Sequence, residues 1–110
     1  MKVGVLQVVL QLGGLRSLKE KRGVLRPLLD GARARFNAGI IESAYQDDLR
    51  RAQLAAVVAS TEGTHASSML QSIADFFEER ATVVDVRTEV RTAAGDDVIQ
   101  DDLASWSDFS

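Results

Sequence analysis

The chain contains no cysteine, one histidine and one proline among its 110 residues. Without cysteine it forms no disulfide, offers no thiolate to a metal and has no thiol nucleophile, and this is typical of proteins in a reducing compartment. Its apolar runs fall well short of the roughly 20 residues that cross a bilayer. Gln7 and Gln11 interrupt the first apolar run, and no small-residue cleavage site follows it, so no signal peptide is predicted. We therefore expect a cytoplasmic protein with no membrane segment, no metal and no cofactor.

Charge is distributed unevenly along the chain, although the net charge is only −3. Residues 1–51 hold ten Lys or Arg and five Asp or Glu, whereas residues 52–110 hold three and eleven. Residues 94–110 contain five Asp and no basic residue, and they are rich in Gly, Asp and Ser. This composition predicts a single domain over residues 1–93 followed by an acidic, disordered tail.

Hydrophobic periodicity predicts six elements in the order β-α-β-β-α-β. The predicted strands cover residues 3–12, 38–45, 52–60 and 83–92, where apolar positions alternate, and the predicted helices cover residues 18–36 and a segment that starts at Thr64. This order is the split βαβ motif. The predicted fold is therefore α+β, a ferredoxin-like βαββαβ sandwich. Its four-stranded antiparallel sheet, of order 4-1-3-2, carries both helices on one face.

Local signals set the helix boundaries. Ser17 and Glu20 form a capping box, in which the Ser17 hydroxyl accepts from the Glu20 amide and the Glu20 carboxylate accepts from the Ser17 amide. Pro27 lies deep inside the apolar pattern of the first helix, where its ring presses on the carbonyl of Gly23. We expect one kinked helix there, because the glycine backbone adapts to a bend. Thr64 is the predicted cap of the second helix.

One run of residues carries a family resemblance. Arg-Ser-Leu-Lys-Glu-Lys-Arg at residues 16–22 follows a first strand rich in Val and Leu, and Gln46-Asp47 and Arg51-Ala52 lead into the third strand. In these features residues 1–92 resemble the YlxP-like family of bacterial proteins, a domain of unknown function. The resemblance implies a ferredoxin-like fold. Genes of that family often lie beside those of translation-initiation and ribosome-maturation factors, which implies a housekeeping role near the ribosome; it implies no catalytic residues.

No arrangement of residues predicts catalysis. The single histidine, His65, has no partner acid, nucleophile or further ligand placed by the sequence, and it is interpreted as a surface residue in the first turn of a helix. Gly13-Gly14 precedes a helix, but the sequence has neither a dinucleotide-binding glycine pattern nor a P-loop lysine. The third predicted strand has no aromatic residue, so the sheet is not predicted to stack RNA bases.

A basic stripe on the first helix is the strongest functional signal. Its members recur at spacings of 3, 4 and 7, which places them on one flank of the apolar stripe: Lys19, Arg22, Arg26 and Arg33. They predict either contacts with RNA phosphates, which need no base readout, or an ordinary solvated flank partly neutralised by Glu20 and Asp30.

The open face of the sheet gives a second signal. Its predicted apolar residues are Val3, Val5, Val9, Val57 and Tyr45. Exposed apolar surface of that extent marks an interface, which a second copy or the tail residues Leu103, Trp106 and Phe109 would cover. The leading hypothesis is a non-enzymatic binding protein, a homodimer, that contacts RNA or the ribosome through the basic stripe. The alternative is a small-molecule-sensing or scaffolding homodimer built on the open face, with no role in nucleic-acid binding.

Overall fold

The computed structural model describes residues 1–93, and the predictions for the tail fall outside that range. The described chain folds as β1 (Lys2–Gln11), α1 (Leu18–Arg35), β2 (Gly39–Ala44), β3 (Arg51–Ser60), α2 (Gly63–Arg80) and β4 (Thr82–Thr92). None of its helices is both long enough and apolar enough to span a membrane. The predicted order of elements is confirmed.

The four strands form one antiparallel sheet in the order β2-β3-β1-β4, which is the predicted order read from the other edge. Both helices cover the same face, as an alternating strand pattern requires. In β1 the even-numbered residues Leu6, Val8 and Leu10 are fully buried under the helices. The predicted ferredoxin-like α+β sandwich is therefore confirmed.

The α1 helix begins at its predicted cap and continues through Pro27. The Glu20 amide donates to Ser17 Oγ at 3.1 Å, whereas the Glu20 carboxylate accepts from the amide of Arg16, at 2.8 Å, and not from that of Ser17. Gly23 and Pro27 are both exposed, so water reaches the carbonyl that proline leaves unpaired. The helix therefore tolerates proline because the missing hydrogen bond lies on its solvent side.

Two predicted boundaries are wrong. The α2 helix has Glu62 as its N-cap, two residues before the predicted cap Thr64, because the Ala66 amide already donates to the Glu62 carbonyl at 3.1 Å. No side chain caps this helix, although Ser60 Oγ accepts from the Glu62 amide just before it. Strand β2 ends at Ala44, because Tyr45 adopts a left-handed backbone with φ of 62° and turns the chain out of the sheet.

The close approach of α2 to the sheet depends on Gly4. A Cβ at this position would lie 2.9 Å from a Val58 methyl group and 3.1 Å from Leu70 of α2. Leu70, Ile73 and Phe77 of α2 are buried against the sheet, and Phe76 makes edge-to-face contacts with Phe36 and Phe77. The core therefore lies mainly between α2 and the central strands, while α1 packs near β2.

Candidate functional site

The N-terminal half of α1 presents three basic side chains of the predicted stripe to solvent. Lys19, Arg22 and Arg26 are exposed, and none of them makes a hydrogen bond or ion pair within residues 1–93. They follow one another at spacings of three and four, so they lie on neighbouring turns of one helix flank. We call these three residues the basic flank.

Arg33, the fourth predicted residue, has a different environment. Its Nε and Nη2 both donate to the carbonyl of Ile40, at 3.0 and 2.7 Å, and its Nη1 lies 3.5 Å from Asp30. The guanidinium therefore ties the end of α1 to β2. The structure brings together three of the four predicted residues as unpaired cations, and it gives Arg33 an internal partner.

A lysine that the sequence analysis did not single out lies beside the basic flank. The Lys21 side chain is only 2% exposed, and its Nζ donates to the carbonyls of Tyr45, at 2.6 Å, and Gln46, at 3.2 Å. Glu42 Oε2 lies 3.1 Å from the same nitrogen, outside hydrogen-bond geometry, so this contact is an ion pair. The signal for it was present in the sequence, because Lys21 precedes Leu25 by four residues and therefore lies on the apolar stripe.

The loop between β2 and β3, residues 45–50, is held by Asp48. The Asp48 carboxylate accepts from the backbone amide of Arg50, at 2.7 Å, and from Arg51 Nε, at 3.0 Å. These two hydrogen bonds, the backbone one foremost, hold the pKa of Asp48 below its ordinary value. The Arg51 guanidinium also lies over the Tyr45 ring, 4.0 Å from its centroid. The loop is thus fixed both to β3 and, through Lys21, to α1.

Between α1 and this loop is a cleft of about 350 Å³. Leu18, Leu25 and Leu29 give it apolar walls, and Arg22 and Arg26 come from the basic flank. The opposite side carries Glu42, Gln46 and Asp47. Anionic groups are therefore favoured next to the two arginines and opposed on the side of the cleft that carries Glu42 and Asp47.

The open sheet face carries the other set of predicted residues. Val57 is 47% exposed and its diagonal neighbour Ile41 is 57% exposed, whereas Val3, Val5 and Val9 are half-buried. Tyr45 lies beyond the end of β2, under Arg51. The apolar part of the face is therefore centred on β2 and β3, and we call it the apolar patch.

Other candidate chemistry is sparse in residues 1–93. No group of three or more His, Asp or Glu side chains is placed there to hold a metal ion. His65 is exposed in the first turn of α2. The described surface therefore offers charge and apolar contact, and its clearest concentration of both is the cleft beside the basic flank.

The fold places the chain in a class, the small ferredoxin-like α+β domains, and one face of its sheet is covered by no element of residues 1–93. The chain belongs to the family described as "Protein of unknown function (DUF503)", whose match covers residues 3–90. No curated protein matches the chain.

Solved structures share the fold at low sequence identity. A putative antibiotic biosynthesis monooxygenase from Chloroflexus aurantiacus J-10-fl is 13% identical, with a TM-score of 0.50, and the alignment covers 86% of this chain and 97% of that one. A de novo designed protein with a ferredoxin fold, LFR1 1, is 19% identical, with a TM-score of 0.48 and coverage of 87% and 89%. At such identities the likeness extends to the fold alone.

Proposed function

We propose that this domain is a non-enzymatic binding protein that contacts RNA phosphates through the basic flank. The observation that carries the proposal is that Lys19, Arg22 and Arg26 are exposed together without a partner in residues 1–93. Unpaired cations on adjacent turns bind a phosphate backbone by releasing counterions, and they need no base-specific contact to do so. Arg33 contributes less, because the Ile40 carbonyl already occupies two of its donors.

The ribosomal part of the proposal rests on the resemblance of residues 16–22 to YlxP-like proteins. That run begins the helix and supplies two of the three cations of the basic flank. A role in translation or ribosome maturation is consistent with backbone contacts of this kind, because ribosomal RNA offers dense phosphate whatever its sequence.

The test is filter binding of single-stranded and ribosomal RNA over a salt series. Replacing Arg22 and Arg26 with Gln should weaken binding to all RNA sequences about equally. It should also reduce the slope of log affinity against log salt by about 0.7 for each lost phosphate contact on single strands. The matched control, Lys2→Gln with Arg35→Gln, removes the same charge from β1 and from the last turn of α1. RNA binding that is equal in the intact and the Arg22/Arg26 variants, or undetectable at low salt, contradicts the proposal.

A second candidate function rests on the apolar patch. The exposure of Ile41 and Val57 favours a sensing or scaffolding dimer that uses the open sheet face and has no nucleic-acid role. Co-sedimentation with ribosomes separates the two candidates, since binding through phosphates is lost at high salt and the scaffold never co-sediments. A pull-down from lysate with and without ribonuclease then tells whether RNA mediates the contact.

A further inference from the structure

Strand β4 is a long, exposed edge of the sheet. It has eleven residues and pairs only with β1 within residues 1–93, so the backbone groups along its outer side have no strand partner there. Every residue from Val84 to Glu89 is exposed. β4 contains no proline or glycine, and its register shift with β1, at Val84, lies near its start. Residues 85–92 are therefore a continuous template for pairing with another strand.

The charges of β4 alternate in sign on one face of the sheet. The register with β1 places Asp85, Arg87, Glu89 and Arg91 opposite Val9, Gln7, Val5 and Val3, which belong to the open face. In the single chain these side chains form two ion pairs along the strand, Asp85 with Arg87 at 3.3 Å and Glu89 with Arg91 at 2.5 Å. All four are exposed, so these internal pairs hold the side chains weakly.

We propose that two copies of this chain pair antiparallel through β4, with the twofold axis at Thr88. In that register Asp85 lies opposite Arg91 of the second copy, and Arg87 lies opposite Glu89. The twofold axis repeats both contacts, so four pairs of opposite charge align on the open face. Directly opposite side chains in an antiparallel pair are close enough for such contacts.

The other face of β4 fits the same register. Val86, Thr88 and Val90 lie opposite Val8, Leu6 and Gly4 of β1, on the helix side of the sheet. Around Thr88, Val86 meets Val90 of the second copy and Thr88 meets itself. Val86 is 39% exposed although it faces the helix side, and this pairing gives it an apolar neighbour. With the axis at Thr88, the side chains on each face of β4 are therefore complementary to those of the second copy.

Neighbouring registers are unfavourable. Side chains directly opposite one another must lie on the same face of the sheet, so the twofold axis must pass through a residue position. Moving the axis by one residue changes the partner of every residue by two positions. Moving the axis to Arg87 places Asp85 opposite Glu89 and Arg87 opposite itself. Moving it to Glu89 places Arg87 opposite Arg91 and Glu89 opposite itself. Like charges directly opposite one another are destabilising, which disfavours both of these registers. An axis at Val86 or at Val90 aligns only two pairs of opposite charge, whereas the axis at Thr88 aligns four.

The first experiment inverts charges in the full-length chain and measures mass by sedimentation equilibrium from micromolar to millimolar concentration. The acidic variant is Arg87→Glu with Arg91→Glu, and the basic variant is Asp85→Lys with Glu89→Lys. We expect the intact chain to dimerise and each variant to dimerise at least about tenfold more weakly, since attractive pairs become repulsive. An equal mixture of the two variants should recover dimers, because acidic and basic edges then face each other.

A fully inverted variant is the matched control. Its four substitutions, Asp85→Arg, Arg87→Glu, Glu89→Arg and Arg91→Glu, keep the alternation, so it should dimerise like the intact chain. A monomeric intact chain overturns the proposal. So does dimerisation of the acidic and basic variants with unchanged affinity.

The second experiment locates the contact directly, using the absence of cysteine from the chain. Thr88→Cys places a thiol opposite its own copy at a separation within the range of a disulfide, and it should form covalent dimers on oxidation. Val57→Cys, an exposed position in the apolar patch, should not. If Val57→Cys forms covalent dimers and Thr88→Cys does not, the proposed edge pairing is wrong. The copies then associate through the open face.

Discussion

At the scale of single residues, Lys21 has the most unusual environment in the described chain. It is a cation on the apolar stripe of α1 that donates to two loop carbonyls and forms an ion pair with the partly buried Glu42 carboxylate. A buried ammonium is tolerated only when its hydrogen-bonding capacity is satisfied. Tyr45, whose backbone leaves β2 with positive φ, aims its carbonyl at this lysine. The lysine therefore fixes the shape of the loop.

Replacing Lys21 with Met should destabilise the fold by about 2–4 kcal/mol, since two carbonyls lose their donor and Glu42 loses its counter-ion. Urea unfolding followed by circular dichroism measures this free energy of unfolding. Lys19→Met is the matched control, because Lys19 is exposed and unpaired within residues 1–93 and its loss should change stability by less than about 0.5 kcal/mol. Equal effects of the two substitutions would show that Lys21 does not support the loop.

The burial of Lys21 was not predicted from the sequence. The basic stripe was defined by charge at helical spacing, and that rule left Lys21 without an assigned environment. Whether a long polar side chain lies in the core depends on acceptors supplied by another segment, here the carbonyls of residues 45 and 46. These acceptors are backbone groups, which leave no mark in the side-chain pattern.

At the scale of elements, α1 is a helix whose weak positions lie on its solvent side. Gly23 and Pro27 are exposed, and a Cβ on Gly23 would have no atom within 4 Å outside the local helix backbone. Gly31, two turns later, faces the core, where a Cβ would lie 3.1 Å from the Phe76 ring. A Cβ is therefore accommodated freely at Gly23, whereas at Gly31 it fits only if the Phe76 ring moves by a few tenths of an ångström.

An alanine series in α1 should order these positions. Gly23→Ala should stabilise the protein by roughly 0.5–1 kcal/mol. Pro27→Ala should stabilise it by about 2–2.5 kcal/mol, which is the helix penalty of proline less the freedom regained by the unfolded chain. Gly31→Ala, the packing control, should bring no gain. Thermal unfolding gives the order, and a loss of more than about 1 kcal/mol on Pro27→Ala would mean that proline shapes the packing of α1.

The elements themselves followed from periodicity, because half-buried strands and one-sided helices require alternation and a 3.6-residue repeat. The boundaries of these elements were predicted less accurately. The start of α2 has no side-chain cap to mark it, and β2 ends at a tyrosine in a backbone conformation that its residue type does not predict. Boundaries set by local backbone conformation were therefore missed, whereas the Ser17 cap of α1 was found.

At the scale of the whole molecule, positive charge lies in the first half of the chain and negative charge in the second. The basic flank belongs to the first half. The five Asp of residues 94–110 belong to the second, and without them the net charge changes from −3 to +2. The same chain therefore carries charge that attracts a polyanion and charge that repels it, and salt screens both.

Deleting residues 94–110 should tighten RNA binding at low salt and change it little at high salt, because a repulsive charge is removed that salt otherwise screens. Filter binding at several salt concentrations provides the measurement. A full-length variant with all five of these Asp replaced by Asn separates charge from length, and it should behave like the deletion. If only the deletion tightens binding, the effect is not electrostatic.

The site was foreseen in part. Charge and spacing located the basic flank, since exposed side chains on a helix follow directly from its geometry. The cleft was not foreseen, because it depends on how closely the β2–β3 loop approaches α1. β2 separates α1 from this loop in the sequence, and the distance between them is set by packing and by the loop carbonyls that Lys21 binds. Local sequence patterns mark neither of these contacts.

The position of Tyr45 has an optical consequence. It is the only tyrosine in the chain. Its carbonyl accepts a hydrogen bond from Lys21, and its ring lies under the Arg51 guanidinium. The single tryptophan, Trp106, lies outside the described residues, and replacing it with Phe leaves Tyr45 as the only strong near-ultraviolet fluorophore. An intrinsic chromophore thus lies on the loop that borders the cleft, and a rearrangement of this loop on ligand binding should change its fluorescence without any added label.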